Sequence, residues 1–175
     1  MNFTTEKITE RMYRIKDRIG VAMYLVSGDC QSLLIDTGYG LKGLREFVHS
    51  LTDLPLTVVL THGHVDHAMG AGEFEKVYMN PADKETFYYH SQKSCRLNVI
   101  HTAVPEFDDE LVEPYADEFL ELHDGQVFDL GNLTVEAVSA PGHTPGTMVF
   151  LIKIVFCRSV MNLDHHDSSS SLGFL

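Results

Sequence analysis

Thr61-His62-Gly63-His64-Val65-Asp66-His67 gathers three imidazoles and one carboxylate into seven residues. The apolar run Leu56-Thr57-Val58-Val59-Leu60 leads straight into it. That run is short, rich in β-branched residues and bounded by Pro55 and the His/Gly cluster, which predicts a buried strand. Ala68 to Phe74 can start a helix. The cluster then falls on a strand-to-helix turn, where side chains converge on one point and helix N–H groups favour anions. His62 and His64 alternate about Gly63, as two ligands on one side of an extended segment must. His64 and His67 are expected on one side of a helical turn. Neutral imidazole and carboxylate suit zinc or, with different preferences, iron or manganese. A histidine-rich surface loop is the plain alternative, and the density of ligand-type residues directly behind a buried strand argues against it.

Upstream, Met12 to Asp17, Val21 to Val26 and Ser32 to Ile35 predict three short strands joined by turns, the start of an antiparallel or mixed sheet. The third ends in Asp36-Thr37-Gly38, a carboxylate that could cap the next helix or face the mouth of a site. Leu41, Leu44, Phe47, Val48 and Leu51 have helical spacing. Downstream, Lys76 to Met79 predicts a strand, and Asn80-Pro81 opens a helix with Asn as N-cap. Phe87-Tyr88-Tyr89-His90 fits either core or pocket wall. Asp108 to Glu118 is acidic and Pro-interrupted, which predicts a surface loop or short helices. His49, His90, His101 and His123 sit in no ligand-type pattern. Val127 to Leu130 and Leu133 to Val138 predict a hairpin around Gly131-Asn132. Next comes Ala140-Pro141-Gly142-His143-Thr144-Pro145-Gly146-Thr147. Proline and glycine on both sides of His143 fix its backbone, as a preorganised ligand requires.

HxHxDH behind an apolar strand resembles the metallo-β-lactamase superfamily of metal-dependent hydrolases, and Pro-Gly-His-Thr-Pro-Gly resembles its glyoxalase II-like thioesterases. The resemblance implies an α/β fold, an αββα sandwich of two sheets with outer helices, in a single domain over 1–175. It assigns His62, His64 and His143 to one metal, and Asp66 and His67 to a second. Asp66 would also act in catalysis by orienting the nucleophile, and Asp36 would steady the ligand loop from behind. It implies one or two Zn2+ per chain, with Fe or Mn as alternatives, and a variable substrate-access segment over 85–118. The implied reaction is cleavage of an ester-type bond (thioester, lactone or similar) of a small molecule by metal-bound hydroxide.

The resemblance fails at the end. A Gly-Asp whose carboxylate bridges two metals belongs near Arg158, and a guanidinium cannot bind a cation. Val149 to Val160 lacks a turn between its apolar halves, so it forms one long strand or a distorted hairpin. The superfamily's final His is missing, Asp164, His165 and His166 follow no braced turn, and 164–175 reads as a disordered tail. The C-terminal part of the fold is therefore expected to be incomplete. That leaves one sheet face poorly covered and prone to self-association, as a homo-oligomer or a weakly folded chain. A second reading follows, a truncated superfamily member that binds one zinc with little or no activity. A third is a nuclease of the same fold.

The 175-residue chain has a net charge of −12 and no basic stripe, which argues against the nuclease and against any nucleic-acid partner. Three scattered cysteines make no disulfide framework, and Met1 to Glu6 has no apolar signal region, so a cytoplasmic protein is expected. No run reaches membrane-spanning length, so no membrane association is expected.

Overall fold

The structure, a computed structural model, describes residues 2–107 and 110–154. A meander opens the chain: β1 (Phe3–Thr9), β2 (Met12–Asp17), β3 (Ala22–Ser27) and β4 (Ser32–Ile35), each antiparallel to the last. β5 (Leu56–Val59), β6 (Val77–Met79) and β7 (Leu120–Glu121) extend the same sheet in parallel register, giving seven strands in chain order. A second sheet has the order β10-β9-β8, from β8 (Val127–Asp129), β9 (Leu133–Ser139) and β10 (Met148–Ile154). Four helices complete the described chain: α1 (Leu44–His49), α2 (Val65–Ala68), α3 (Lys84–Ser91) and α4 (Lys93–Ala103).

Period-two alternation in the larger sheet gives it two dry faces. Ile15, Met23, Leu25, Leu34 and Val58 point to one side and pack with Leu44 and Val48 of α1, Phe87 of α3 and Ile100 of α4. Val26, Leu33, Ile35 and Val59 point to the other and pack on Leu130, Leu133 and Val135 of the second sheet. The layers run helix, sheet, sheet. Among the described residues no helix covers the outer face of the second sheet, where Val127, Val149 and Leu151 are about half exposed at 54%, 49% and 50%.

Several elements differ from expectation for identifiable reasons. β1 has no apolar alternation and is exposed after Phe3; it is a strand because β2 pairs with it. α1 starts at Leu44, because Gly43 adopts a left-handed φ of 94° and the Glu73 carboxylate, thirty residues on in sequence, accepts from the N–H groups of Gly43 and Arg45. The helix behind the histidine cluster starts earlier than Ala68 and is one turn long; a 3-10 turn, Ala71–Glu73, follows it. The 110–118 segment contains no helix and is not a loose surface loop. Val112 and Tyr115 are buried, and the Val112 carbonyl accepts from the buried Arg96 guanidinium. The Gly131-Asn132 turn closes β8 and β9 as expected, with Gly131 at φ 109°. β10 runs unbroken through Lys153, paired along its length with β9. The readings for Arg158, for Asp164, His165 and His166, and for the 164–175 tail lie outside the described residues.

Leu34 is fully buried in a central strand. Leu34→Ala is expected to cost about 2–5 kcal/mol in a denaturant unfolding experiment, through lost transfer energy and the cavity left behind.

Candidate metal centre

The candidate site lies where β4 and β5 end. Parallel strands deliver their C-terminal ends to the same edge, so Asp36 after β4 and Thr61-His62 after β5 meet there. Asp36 has φ 66°, the one non-glycine described residue in the left-handed region, which Asp tolerates better than most. Its buried carboxylate does not cap α1, whose N-cap is Gly43. The carboxylate accepts from Thr61 N at 2.7 Å, Thr61 Oγ1 at 2.9 Å and the His67 ring at Nδ1, 2.7 Å. On the other side of the His67 ring, Nε2 lies 3.4 Å from Asp66 Oδ2.

His64 sits at the N-cap of α2 with an extended ψ of 160°, whereas His67 is inside the helix. They therefore do not share a face, contrary to the helical-turn expectation. His64 turns to His143, with Nδ1 3.0 Å from His143 Nε2, and His67 turns to Asp36 and Asp66. His143 arrives on the loop between β9 and β10. The Met148 N–H donates to the Thr61 carbonyl at 2.8 Å, so the start of β10 is bonded to the first residue of the cluster.

Two ligand-type groups result. His62, His64 and His143 each bring a nitrogen to within 4.8 Å of the others, and His62, Asp66 and His67 do the same with two nitrogens and a carboxylate oxygen. The first group fits a zinc ion. His62 is 5% exposed, its Nδ1 is engaged by Thr61 Oγ1 at 2.9 Å, and its Nε2 is buried with no hydrogen-bond partner. An orphaned buried ring nitrogen is costly unless something else binds it. Nitrogens at about 2.0–2.1 Å from one tetrahedral ion stand about 3.3 Å apart, close to the observed His64–His143 separation. The second group fits less freely, because both His67 nitrogens already face carboxylates.

The electrostatics follow from burial and these contacts. Burial, reinforced by the neighbouring His67, pushes His62 down to about 4, so it stays neutral and able to ligate at pH 7. His64 is lowered by burial and by His90. Burial works against the charged form of His67, but the bonds to Asp36 and Asp66 outweigh it and lift the ring to about 10. Burial likewise opposes ionisation of Asp66, yet the His67 ring beside it holds the carboxyl at about 2.

Three further residues border the two groups, of which the sequence offers only His90, as core or pocket wall and not as a ligand. Thr61 links Asp36 to His62. His90, on α3, lies with its ring centroid 4.7 Å from that of His64, at the edge of the cluster. Asp83, at the start of α3, is wholly buried between the His62–His64 loop and the His143 loop. His49, His101 and His123 are outside both groups; His101 faces the Phe107 carbonyl and His123 faces Glu121.

Two sheets with helices against one of them, and a histidine-rich edge at the strand ends, define the metallo-β-lactamase fold class. The chain belongs to the metallo-beta-lactamase superfamily, whose family profile matches residues 17–155. It is 31% identical to the human protein "Acyl-coenzyme A thioesterase MBLAC2", over 81% of this chain and 56% of that protein. It is 28% identical to "Atrochrysone carboxyl ACP thioesterase" of Aspergillus terreus, over 77% of this chain and 35% of that one. Among solved structures, a motif mutant of a metallo-beta-lactamase from Cronobacter sakazakii superposes with a TM-score of 0.61 at 21% identity, over 86% of this chain and 60% of that one. The chain thus spans about half the length of the human relative, or less in the fungal case. No helix among the described residues is long and apolar enough to cross a membrane.

The pH dependence of the metal-stripped protein follows from these shifts. His67 is raised from 6.5 to about 10, so its contribution to stability is complete below about pH 6.5 and is lost as pH rises through about 10. His62 is lowered to about 4, so the unfolded chain binds more protons between pH 6.5 and 4, and stability falls as pH drops across that window. Thermal midpoints measured from pH 4 to 10 should decline at both ends, and Asp36→Asn should flatten the alkaline decline.

Proposed function

We propose that this chain is a zinc-dependent hydrolase that cleaves a thioester, or a similar ester-type bond, of a small molecule. The observation that carries this reading is the first histidine group: three ring nitrogens converge, and one of them is buried without a partner. Thioester chemistry is favoured because relatives of two kinds, named for acyl-coenzyme A and acyl-carrier-protein substrates, are both thioesterases. The braced Pro141-Gly142-His143-Thr144-Pro145-Gly146 loop is the glyoxalase II-like feature that agrees with them.

His62, His64 and His143 are the assigned ligands of one Zn2+. Zinc held there would supply Lewis-acid chemistry, polarising a carbonyl and lowering the pKa of a bound water to about 7. The chain's own groups do the rest. Asp66, ionised at neutral pH, can accept a hydrogen bond from the attacking water and orient it. The Asp36–His67–Asp66 row keeps that carboxylate from rotating away. Hydrolysis adds water across the acyl–sulfur bond, giving a carboxylic acid and a thiol. Residues 85–118 are proposed as the substrate-access segment. His90 reaches the cluster's edge, and Tyr88 and Tyr89 beside it are 58% and 63% exposed, a surface that an acyl chain could cover.

One observation favours a single metal with low turnover as the second reading. Both ring nitrogens of His67 are engaged, Nδ1 by Asp36 and Nε2 by Asp66, so the second group holds a metal (zinc, or Fe or Mn, which suit its carboxylate) only if Asp66 releases His67. The net charge of −12 argues against a nucleic-acid partner held through its phosphates, and a cytoplasmic location agrees with the free Cys30 and Cys95. The exposed Val127, Val149 and Leu151 face supports association between copies of the chain, which sedimentation at two concentrations would reveal as a shift in mass.

Elemental analysis should find about one zinc per chain, and release of free thiol from an acyl-coenzyme A should follow zinc content. His143→Ala is expected to lose both the metal and the turnover. A His143→Ala protein with full zinc would rule out the ligand assignment. A zinc-loaded wild-type protein that releases no thiol would leave the low-turnover reading.

A further inference from the structure

Asp83 stands at the N-cap position of α3, where an Asp side chain ordinarily accepts from the helix's own free N–H groups. It makes no such bond. Asn80 caps the preceding 3-10 turn (Pro81–Asp83) instead, accepting from Ala82 N at 3.0 Å. The Asp83 carboxylate, with 0% exposure, points the other way and accepts three hydrogen bonds. Oδ2 takes the Gly63 N–H at 2.9 Å and the Thr144 hydroxyl at 2.7 Å, and Oδ1 takes the Gly146 N–H at 2.8 Å. Gly63 lies between His62 and His64, and Thr144 follows His143. One carboxylate therefore joins the two loops that carry the first histidine group.

The surrounding residues are shaped for this approach. A Cβ on Gly63 would sit 2.9 Å from the Asp83 carbonyl oxygen and from Phe87 N, and a Cβ on Gly146 would sit 2.8 Å from the Asp83 carboxyl carbon. Neither position has room for a side chain, so glycine in His-Gly-His and in Thr-Pro-Gly lets the Asp83 segment come close. Thr147 completes the arrangement, its Oγ1 accepting from the Thr144 N–H at 2.9 Å. A fully buried carboxylate with no cationic partner is costly unless its oxygens are met by donors. Among the described residues every donor comes from a loop bearing a candidate ligand, and none from the helix that Asp83 begins.

We propose that Asp83 is a positioning residue that sets the gap between the His62–His64 loop and the His143 loop, and through it the geometry of the metal centre. The proposal rests on the reading of His62, His64 and His143 as ligands. It differs from a general role in folding, because its effect is felt at the metal even when the chain remains folded. Asp83→Asn turns one of the two acceptor oxygens into a donor, so either the Gly63 or the Gly146 bond is lost, because a backbone N–H cannot accept, whereas the Thr144 hydroxyl can.

The test uses Co2+ added to the metal-stripped full chain, with affinity and the visible d–d spectrum as readouts. Loss of an outer partner of a ligand loop typically weakens metal binding about 10–100-fold. Asp83→Asn should weaken Co2+ by that order and change the band shape, at a temperature where circular dichroism shows the variant folded. Thr144→Val, which removes a single donor, should weaken binding in the same direction, and Thr144→Ser, which keeps the hydroxyl, should restore it. Equal Co2+ affinities and spectra for wild type, Thr144→Val and Thr144→Ser would overturn the proposal, whether or not Asp83→Asn folds. A folded Asp83→Asn protein with wild-type affinity and spectrum would also overturn it while leaving the ligand assignment standing. A wild-type chain that takes up no Co2+ would overturn the ligand assignment and the role of Asp83 together.

Discussion

Val26, Leu33, Ile35 and Val59 project from one face of the larger sheet onto Leu130, Leu133 and Val135 of the smaller one. This dry contact brings residue 143 within reach of residues 62 and 64. The two loops that carry the candidate ligands belong to different sheets, so no local preference of either can set the distance between them. Sheet packing sets it coarsely. Hydrogen bonds across the gap, from Met148 to Thr61 and from Gly63, Thr144 and Gly146 to Asp83, set it finely. Apolar burial is non-directional and cannot fix a site to a fraction of an ångström, whereas hydrogen bonds have narrow distance and angle preferences.

Charge is arranged in the same economical way. Two carboxylates and one imidazole form a row, Asp36–His67–Asp66, in which the ring lies between the acids. The row keeps Asp66 ionised and oriented, while burial first and the His67 ring second keep His62 neutral, with its Nε2 buried and without a partner. A ring that burial keeps free of its second proton keeps a nitrogen lone pair available, which is the form of imidazole that a cation binds. The left-handed backbone at Asp36 belongs to this arrangement. Strain there is tolerated because three hydrogen bonds to Thr61 and His67 hold the carboxylate in place.

Much of this was legible in the residues. The strand before the cluster, the meander, the Gly131-Asn132 hairpin and the spacing of His62, His64, Asp66, His67 and His143 all rest on local patterns of period two, turn chemistry or ligand density. What escaped was carried by distant partners. β1 lacks an apolar period and is made a strand by β2. The start of α1 is set by Glu73, some thirty residues away. His64 and His67 part company because one caps α2 and the other lies within it, a difference of backbone that spacing alone does not reveal. Asp83 escaped because Asn80-Pro81 carried the helix-start reading, and nothing local marks the Asp three residues on as a partner of two distant loops.

The sequence by itself therefore determined the chemistry available: which side chains could hold a metal, on which loops, and behind which buried strand. These follow from residue type and short-range order, which the chain carries wherever it goes. Only the tertiary structure decided how those side chains group: His62 and His64 with His143, and His67 with Asp36 and Asp66. It also decided that a buried aspartate at a helix start serves the gap between two loops. Those outcomes depend on contacts between residues twenty to eighty positions apart, and such contacts exist only once two sheets have closed on each other.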